Sequence, residues 1–214
     1  MSTPDASPSN NSHGSDAWSR PWEHLRIARE SASYCRVTFD HPPINTITAT
    51  TVAELAELVG LIEQDTDLNV VVFDSANPDY YLAHYDTEHD PARTAAPGVG
   101  PTGLHAWLDV LVRLSRAPVV SIASIRGRAR GAGSEFVLAC DLRFASRENT
   151  LLGQFEVGIG VVPGGGPMAR LSRLVGRGRA LEIPSRRRSR RTARGAVRVR
   201  QPGDRRRPAG RRGR

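Results

Sequence analysis

Hydrophobic and polar residues alternate in two short segments near the beginning of the chain, residues 24–29 and 34–39. Such alternation is typical of strands with one buried face, and the intervening residues 30–33 predict the turn of a β-hairpin. At 48–64 the apolar residues recur at helical spacing, which predicts an amphipathic helix. Residues 69–74 form a short apolar run, the pattern of a strand in a parallel sheet.

The second half of the chain repeats this succession of strands and helices. The predicted elements are a helix at 104–116, a strand at 119–125, and a glycine-rich turn that opens a short helix at 131–140. A strand at 142–145 and a loop at 163–166 follow, and residues 168–174 form the start of a further helix. Strands that alternate with helices favour an α/β fold with parallel pairing. Residues 76–103 carry no regular pattern, and a loop of that length in a compact domain is more often functional than not.

Composition divides the chain into three parts. Residues 1–21 are rich in Ser, Asn, Pro and Asp and are expected to be disordered, residues 22–183 form the predicted folded domain, and residues 184–214 are an arginine-rich tail with too few apolar residues to fold by themselves. The net charge of +8 comes from the tail, because residues 1–183 hold 16 arginines against 21 acidic residues, a net charge of −5. We therefore expect a mildly acidic domain followed by a basic, disordered segment.

Two interpretations of the tail are open. The chain has no lysine, which suggests GC-rich coding DNA, and such DNA read out of frame gives Arg, Pro, Gly and Ala. The tail is then the product of a frameshift. The alternative is a basic arm that binds nucleic acid non-specifically through its phosphates, although no aromatic residue lies among the arginines to stack on bases.

Composition also sets expectations about location and metal binding. The apolar runs are too short to span a bilayer and the N-terminal residues lack a secretory pattern, so we expect no membrane association and a cytoplasmic location. Cys35 and Cys140 lie singly in apolar segments and are expected to be buried free thiols. The six histidines form no ligand-like cluster, so no metal site is predicted.

The glycine-rich turn at 131–133 runs directly into an apolar helix. The first amides of a helix have no intrahelical acceptor and carry partial positive charge, and small residues let a ligand oxygen approach them. This combination is suited to stabilising an oxyanion. Glu135 falls in the first turn, so its carboxylate would face the same opening. The alternative is a tight turn with an acidic residue placed favourably at a helix start.

Glu156 lies among apolar residues in the segment LLGQFEVGIGVVPGGG, residues 151–166. An acid in such a setting has a raised pKa and can donate a proton near neutrality. The alternative is an exposed glutamate at the end of a strand. The separation of 21 residues between Glu135 and Glu156 does not establish that the two carboxylates meet in space.

Three segments, taken in order, resemble the enoyl-CoA hydratase/isomerase (crotonase) family. YLAHYD at 81–86 resembles the family's first oxyanion-hole segment, IRGRARGAGSEFVLACDLRFAS at 125–146 its second, and the segment at 151–166 the one that carries the family's second catalytic glutamate. The resemblance covers about residues 22–183. It implies the crotonase-like (ClpP/crotonase) fold, an α/β superhelix of ββα units, with the C-terminal helical region missing or replaced.

By this resemblance, the function is addition of water to the double bond of a 2-enoyl thioester. The backbone amides of Tyr85 and Ala132 would form the oxyanion hole that stabilises the enolate. Glu156 would transfer a proton at the α-carbon, and Glu135 would position or deprotonate water. The residues implied in substrate binding are Ala83, His84, Asp86, Gly131, Gly133, Phe155 and Gly164. No cofactor is implied beyond coenzyme A as part of the substrate.

The resemblance also implies an acyl-CoA partner and a homotrimer or hexamer, which the family builds with helices that follow the region corresponding to residue 183. Three positions depart from the family pattern: His84 and Ala132 replace glycines, and Phe155 replaces a proline that often precedes the second glutamate. Phe155 is expected to alter pocket shape. The presence of both glutamates favours hydration; the alternatives are double-bond isomerisation, or an inactive fragment whose tail binds polyanions.

Overall fold

The structure, a computed structural model, describes residues 15–86 and 98–185. Helices and strands follow one another along these two ranges. The elements are α1 (Ser15–Ser19), β1 (Leu25–Ser31), β2 (Tyr34–Phe39), α2 (Ala49–Gln64), β3 (Val70–Ser75), β4 (Tyr80–Leu82), α3 (Ala106–Leu114), β5 (Val120–Ile125), β6 (Arg128–Arg130), α4 (Ala132–Ala139), β7 (Leu142–Ala145), β8 (Leu151–Gly153), a 3₁₀ turn (Glu156–Ile159), α5 (Pro167–Val175) and α6 (Arg177–Ser185).

The described strands form two sheets. The larger has the order β1-β2-β3-β5-β7, in which the hairpin β1–β2 is antiparallel and the other pairs are parallel; the smaller has the order β4-β6-β8 and is parallel. Each of the pairs β3–β4, β5–β6 and β7–β8 sends its first strand to the larger sheet and its second to the smaller, and a helix follows each pair. This repetition confirms the predicted α/β superhelix of ββα units.

One face of the larger sheet forms the core. Cys35, Val71 and Ser121 lie side by side in the strand register and are all buried, and because side chains alternate along a strand, the residues two positions further on continue this face. The apolar stripe of α2 is buried in the same cluster, together with α3 and α4. Four rings fill its centre with centroid separations of 5.0–6.3 Å; they belong to Phe39, Phe73, Tyr81 and Phe136.

Local sequence explains where two of the helices begin. Thr48 caps α2: its hydroxyl accepts from the amide of Thr51, whose hydroxyl accepts from the amide of Thr48 in return. This reciprocal pair satisfies amides that lack an acceptor at a helix start. Helix α5 begins with Pro167, whose missing N–H costs nothing in the first turn.

Asn45 holds β4 against the ends of β2 and β3. Its side-chain nitrogen, buried in the fold, donates to the Ser75 hydroxyl at 2.9 Å and the Tyr81 carbonyl at 3.1 Å, and it lies 3.4 Å from the Phe39 carbonyl. The Asn45 carbonyl accepts from the amide of Ala83 at 2.9 Å. The side-chain amide and the backbone carbonyl of Asn45 together fix the place where the chain leaves β4.

The strands β4, β6 and β8 were not predicted. Each has three residues, which is too short for an alternating pattern to be distinguished from a loop. The expected irregular stretch at 76–103 is therefore wrong where β4 lies, and its residues 87–97 lie outside the described residues. Helix α3 is shorter than the predicted 104–116, within the usual variation of helix ends.

Helices of the described chain lie at both predicted domain boundaries, and the division into three parts stays a prediction. Helix α1 lies in the segment expected to be disordered, because Trp18 and Trp22 pack against the core and the Trp22 indole approaches the Trp18 carbonyl at 3.4 Å. Helix α6 extends to Ser185, two residues past the predicted boundary at 183, within the usual variation of helix ends. The expected disorder at 1–14 and 186–214 concerns residues outside the described part of the chain.

Cys35 and Cys140 are buried free thiols, as predicted. None of the helices in the described ranges is long and apolar enough to cross a membrane. Residues 15–86 and 98–185 contain no group of three or more histidine, cysteine or acidic side chains placed to hold a metal ion.

Candidate active site

A cavity of about 940 Å³ lies against the smaller sheet and the start of α4. Its lining comes from the loop before α2, from β4 and the residues after it, from α3, β6 and the start of α4, and from residues 155–165. The lining residues are Ile44, Tyr80, Ala83, His84, Tyr85, His105, Trp107, Leu108, Arg128, Arg130, Ala132, Glu135, Phe155, Glu156, Ile159, Val161, Val162, Gly164 and Gly165. Most of this surface is apolar; its carboxylates are those of Glu135 and Glu156, and its arginines are Arg128 and Arg130.

The backbone after β4 is fixed by a parallel bridge to Ile47. The Ile47 amide donates to the His84 carbonyl at 3.1 Å, and the Asp86 amide donates to the Ile47 carbonyl at 2.8 Å. In such a bridge the residue between the two bonded neighbours turns its own N–H and C=O to the opposite side. The Tyr85 amide therefore points away from Ile47.

Helix α4 starts unusually close to the end of β4. A methyl group placed on Gly133 would lie 1.9 Å from the Leu82 carbonyl oxygen, and the Gly133 amide donates to the Ala83 carbonyl at 3.0 Å. Only glycine permits this approach of two backbones. The preceding amide, that of Ala132, is the first of the helix and forms no hydrogen bond with any described residue. Gly133 thus brings an unpaired helix amide beside the end of β4, three residues before Tyr85.

The Glu135 carboxylate is buried and held by two donors. The Trp107 indole N–H donates to Oε2 at 2.8 Å, and the Gly165 amide donates to Oε1 at 2.7 Å. The side chain is 3 % exposed, and hydrogen bonds from fixed donors compensate the cost of burying a charge. These contacts leave the carboxylate with a single position on the cavity wall.

Gly165 has no space for a side chain on this wall of the cavity. A Cβ at Gly165 would lie 2.1 Å from Glu135 Oε2 and 2.9 Å from a methyl carbon of Leu111. The Gly165 carbonyl accepts from the Arg170 guanidinium at 2.6 Å, and the same guanidinium donates to the Leu111 carbonyl at 3.2 Å. Burial lowers the pKa of Arg170, while the nearby charge of Glu135 opposes that shift. A half-buried cation thus lies behind the peptide that binds Glu135.

Glu156 begins the 3₁₀ turn that follows β8. In the orientation that satisfies both groups, the amide nitrogen of Gln154 donates to the two Glu156 oxygens at 3.0 and 3.2 Å. Burial raises the pKa of Glu156, the charge of Glu135 raises it further, and Arg130 opposes the shift. Both glutamates line the same cavity, which the sequence spacing could not establish.

His84 and Phe155 face each other edge to face across the cavity, with ring centroids 5.8 Å apart. Phe155 also packs on the turn before α4, since a Cβ on Gly131 would lie 2.6 Å from its ring and 2.9 Å from Glu156 Oε1. Gly131 has a φ of 54°, which favours glycine. The two departures from the family pattern at 84 and 155 therefore meet in space.

The structure brings most of the predicted site residues together. Those that line the cavity are Tyr85, Ala132, Glu135, Glu156, Ala83, His84, Phe155 and Gly164. Asp86, Gly131 and Gly133 do not line it. The two glycines have a packing role, because their missing side chains make room for Phe155 and for the backbone of β4. Asp86 instead contributes its amide to the bridge with Ile47.

Sequence reasoning missed three residues that hold the carboxylates: Trp107, Gln154 and Gly165. Trp107 lies in α3 and was counted only as part of an amphipathic helix. Gln154, two positions before Glu156, is 3 % exposed although it is polar. A polar residue inside an apolar run was the available signal for Gln154, whereas no local pattern identifies Trp107 or Gly165 as partners of Glu135.

Comparison with known proteins agrees with this geometry. The profile described as enoyl-CoA hydratase/isomerase matches residues 29–191. The chain belongs to the enoyl-CoA hydratase/isomerase family. Among curated proteins, the short-chain-enoyl-CoA hydratase of Clostridium acetobutylicum is 34 % identical over 158 residues, which are 73 % of this chain and 59 % of that protein.

Solved structures show the same fold. A crystal structure of a candidate enoyl-CoA hydratase from Streptomyces avermitilis superposes with a TM-score of 0.68 and is 35 % identical; the match covers 76 % of this chain and 60 % of that one. The enoyl-CoA hydratase of Geobacillus kaustophilus gives a TM-score of 0.67 at 28 % identity, covering 77 % of this chain and 61 % of that one. The fold is therefore crotonase-like, and this chain spans about 60 % of the length of these relatives.

Proposed function

We propose that this chain carries the catalytic core of an enzyme that adds water to the double bond of a 2-enoyl thioester. The observation that supports this most is the convergence of Glu135, Glu156 and the first amide of α4 on one largely apolar cavity. The thioester carbonyl oxygen would accept hydrogen bonds from the amides of Ala132 and Tyr85. Negative charge develops on that oxygen during the reaction, and preorganised backbone donors stabilise it.

The two carboxylates divide the proton transfers. Water bonds through its oxygen to the β-carbon while Glu135 accepts a water proton, and the π electrons of the double bond pass into the enolate. Glu156 then gives its proton to the α-carbon, and transfer of a proton from Glu135 to Glu156, directly or through solvent, restores the enzyme. Glu135 is suited to holding water because Trp107 and Gly165 fix its position, and Glu156 is suited to donating because its pKa is raised by burial.

Isomerisation of the double bond is the alternative chemistry of this family. It requires removal and return of a proton but no water, so one mobile proton carrier is sufficient. The firm binding of a second carboxylate beside Glu156 supports hydration instead. We include in the proposal an acyl-CoA substrate that brings its own coenzyme A, with no further cofactor. A homotrimer or hexamer and a cytoplasmic location stay predictions.

In the direct test, the purified chain is mixed with a short, conjugated enoyl-CoA. Loss of the absorbance of the conjugated thioester measures hydration. Glu156→Gln and Glu135→Gln are each expected to lower kcat/KM by about 100-fold or more, because removal of a proton-transfer group has that effect. Glu148→Gln is the matched control, since Glu148 is exposed and does not line the cavity. Equal activity of all four proteins would rule out this assignment. Absence of turnover in a folded wild-type chain that binds the thioester would also contradict it.

A further inference from the structure

Strand β6 directs two arginines into the cavity. Side chains at alternate positions of a strand share a face, and Arg128 and Arg130 both line the cavity while Ala129 between them is fully buried. We call Arg128 and Arg130 the arginine pair. Alternate positions of a strand are about 7 Å apart, a separation that lets two guanidinium groups converge on one anion.

Neither member of the arginine pair has a carboxylate partner among the described residues. Six other arginines do form ion pairs with acidic side chains; they are Arg20, Arg26, Arg29, Arg36, Arg113 and Arg179. The arginine pair contacts aromatic rings instead, with Arg128 5.1 Å from the ring of Tyr80 and Arg130 5.9 Å from that of Phe155. Contact through the face of a guanidinium leaves its N–H groups free to bind an anion at the edge.

The position of Arg130 favours an anion on the acyl chain. Arg130 is two residues from Ala132, and its guanidinium lies 5.9 Å from the ring of Phe155, which packs on Gly131 beside Glu156, the group that would protonate the α-carbon. The phosphates of coenzyme A are separated from the thioester by the whole pantetheine arm. A guanidinium beside Phe155 and Glu156 is therefore better placed to meet a group a few bonds beyond the reacting carbons.

We propose that the arginine pair binds a carboxylate at the far end of a short acyl chain, so that the preferred substrates are monothioesters of unsaturated dicarboxylic acids. This inference rests on the proposed function, because the site of the thioester defines which end of the substrate faces β6. Paired guanidinium groups suit a carboxylate, which each can bind through two N–H groups. Specificity would then arise from two residues that take no part in proton transfer.

The proposal is tested by measuring the affinity of the full chain for two saturated, unreactive thioesters by calorimetry. Glutaryl-CoA and pentanoyl-CoA have the same acyl length and the same phosphates, and they differ in the terminal carboxylate. We expect glutaryl-CoA to bind about tenfold tighter or more, in keeping with the strength of charged hydrogen bonds. Arg130→Leu and Arg128→Leu should each reduce this preference and leave the affinity for pentanoyl-CoA within about twofold.

Arg126→Leu is the matched control, because Arg126 is exposed at the entry to β6 and does not line the cavity; it should keep the preference. Arg130→Lys keeps the charge and should keep part of it, which covers the case in which a leucine variant does not fold. Equal affinity of the wild-type chain for both thioesters would overturn the proposal and leave the proposed function standing. Equal weakening of both by Arg130→Leu would assign the arginines to coenzyme A phosphate and also overturn it. Failure of both thioesters to bind a folded chain would contradict the proposed function itself.

Discussion

Two neighbouring glycines at the cavity wall have very different surroundings. A Cβ at Gly165 would collide with the Glu135 carboxylate, whereas a Cβ at Gly164 would meet no atom within 4 Å. We expect Gly165→Ala to displace Glu135 and to lower kcat/KM on the order of 100-fold, the effect of misplacing a catalytic group by about 1 Å. Gly164→Ala should have little effect. Enzyme kinetics with both variants checks this, and similar activity of the two would contradict the assigned position of Glu135.

The pKa of Glu156 gives the activity a pH dependence with a defined sign. Burial and the charge of Glu135 raise this pKa, so the carboxyl stays protonated to a higher pH than an ordinary glutamate. A proton donor acts only while protonated, and kcat/KM for hydration should therefore fall as the pH rises through that value. Arg130 opposes the shift, so Arg130→Gln should move this fall to higher pH. A shift to lower pH in the measured profile would contradict the assignment.

At the level of elements, the contact between α4 and β4 aligns the site. Gly133 is the second residue of α4, and Gly178 is the second residue of α6, where a Cβ would meet nothing within 4 Å. Gly133→Ala should destabilise the chain by about 1–3 kcal/mol through overpacking. Gly178→Ala should be neutral or stabilising by up to about 1 kcal/mol. Denaturant unfolding of the two variants measures both changes, and equal stability would show that α4 can move away from β4 at no cost.

The longer elements were predictable from the sequence because their apolar positions repeat often enough to fix a period. Helix α2 has 16 residues and was recognised from its stripe, whereas the three-residue strand β6 was not. The two glutamates and the first amide of α4 could be proposed from the sequence because each belongs to a motif of consecutive residues. The donors that hold the carboxylates were not, because Trp107 lies 28 residues from Glu135 and Gly165 lies 30 residues from it, and only folding brings them together.

At the level of the whole molecule, the two thiols report on folding. Cys35 lies in the larger sheet and Cys140 follows α4, and burial raises their pKa values to about 11 and about 12. Only the thiolate reacts with alkylating or disulfide reagents, so both should be unreactive in the native chain at neutral pH. Labelling followed by mass spectrometry should modify both together as denaturant unfolds the chain. Rapid native labelling of either thiol would show that its part of the core opens independently.

The relation to enoyl-CoA hydratases is established for a chain that spans about 60 % of the length of its relatives. All the groups assigned to the reaction lie within residues 85–156, inside the region that matches the family. The residues that we assign to the proposed chemistry therefore all lie in the described part of the chain.

In the most direct test, the purified chain is incubated with a short 2-enoyl-CoA and the mass of the product is measured. The account predicts a product heavier by one water molecule, formed by the wild-type chain and lost in Glu156→Gln. A product of unchanged mass with a moved double bond would assign the chain to isomerisation. Unaltered substrate, recovered from a folded chain that binds it, would contradict the claim that these residues form a working hydratase site.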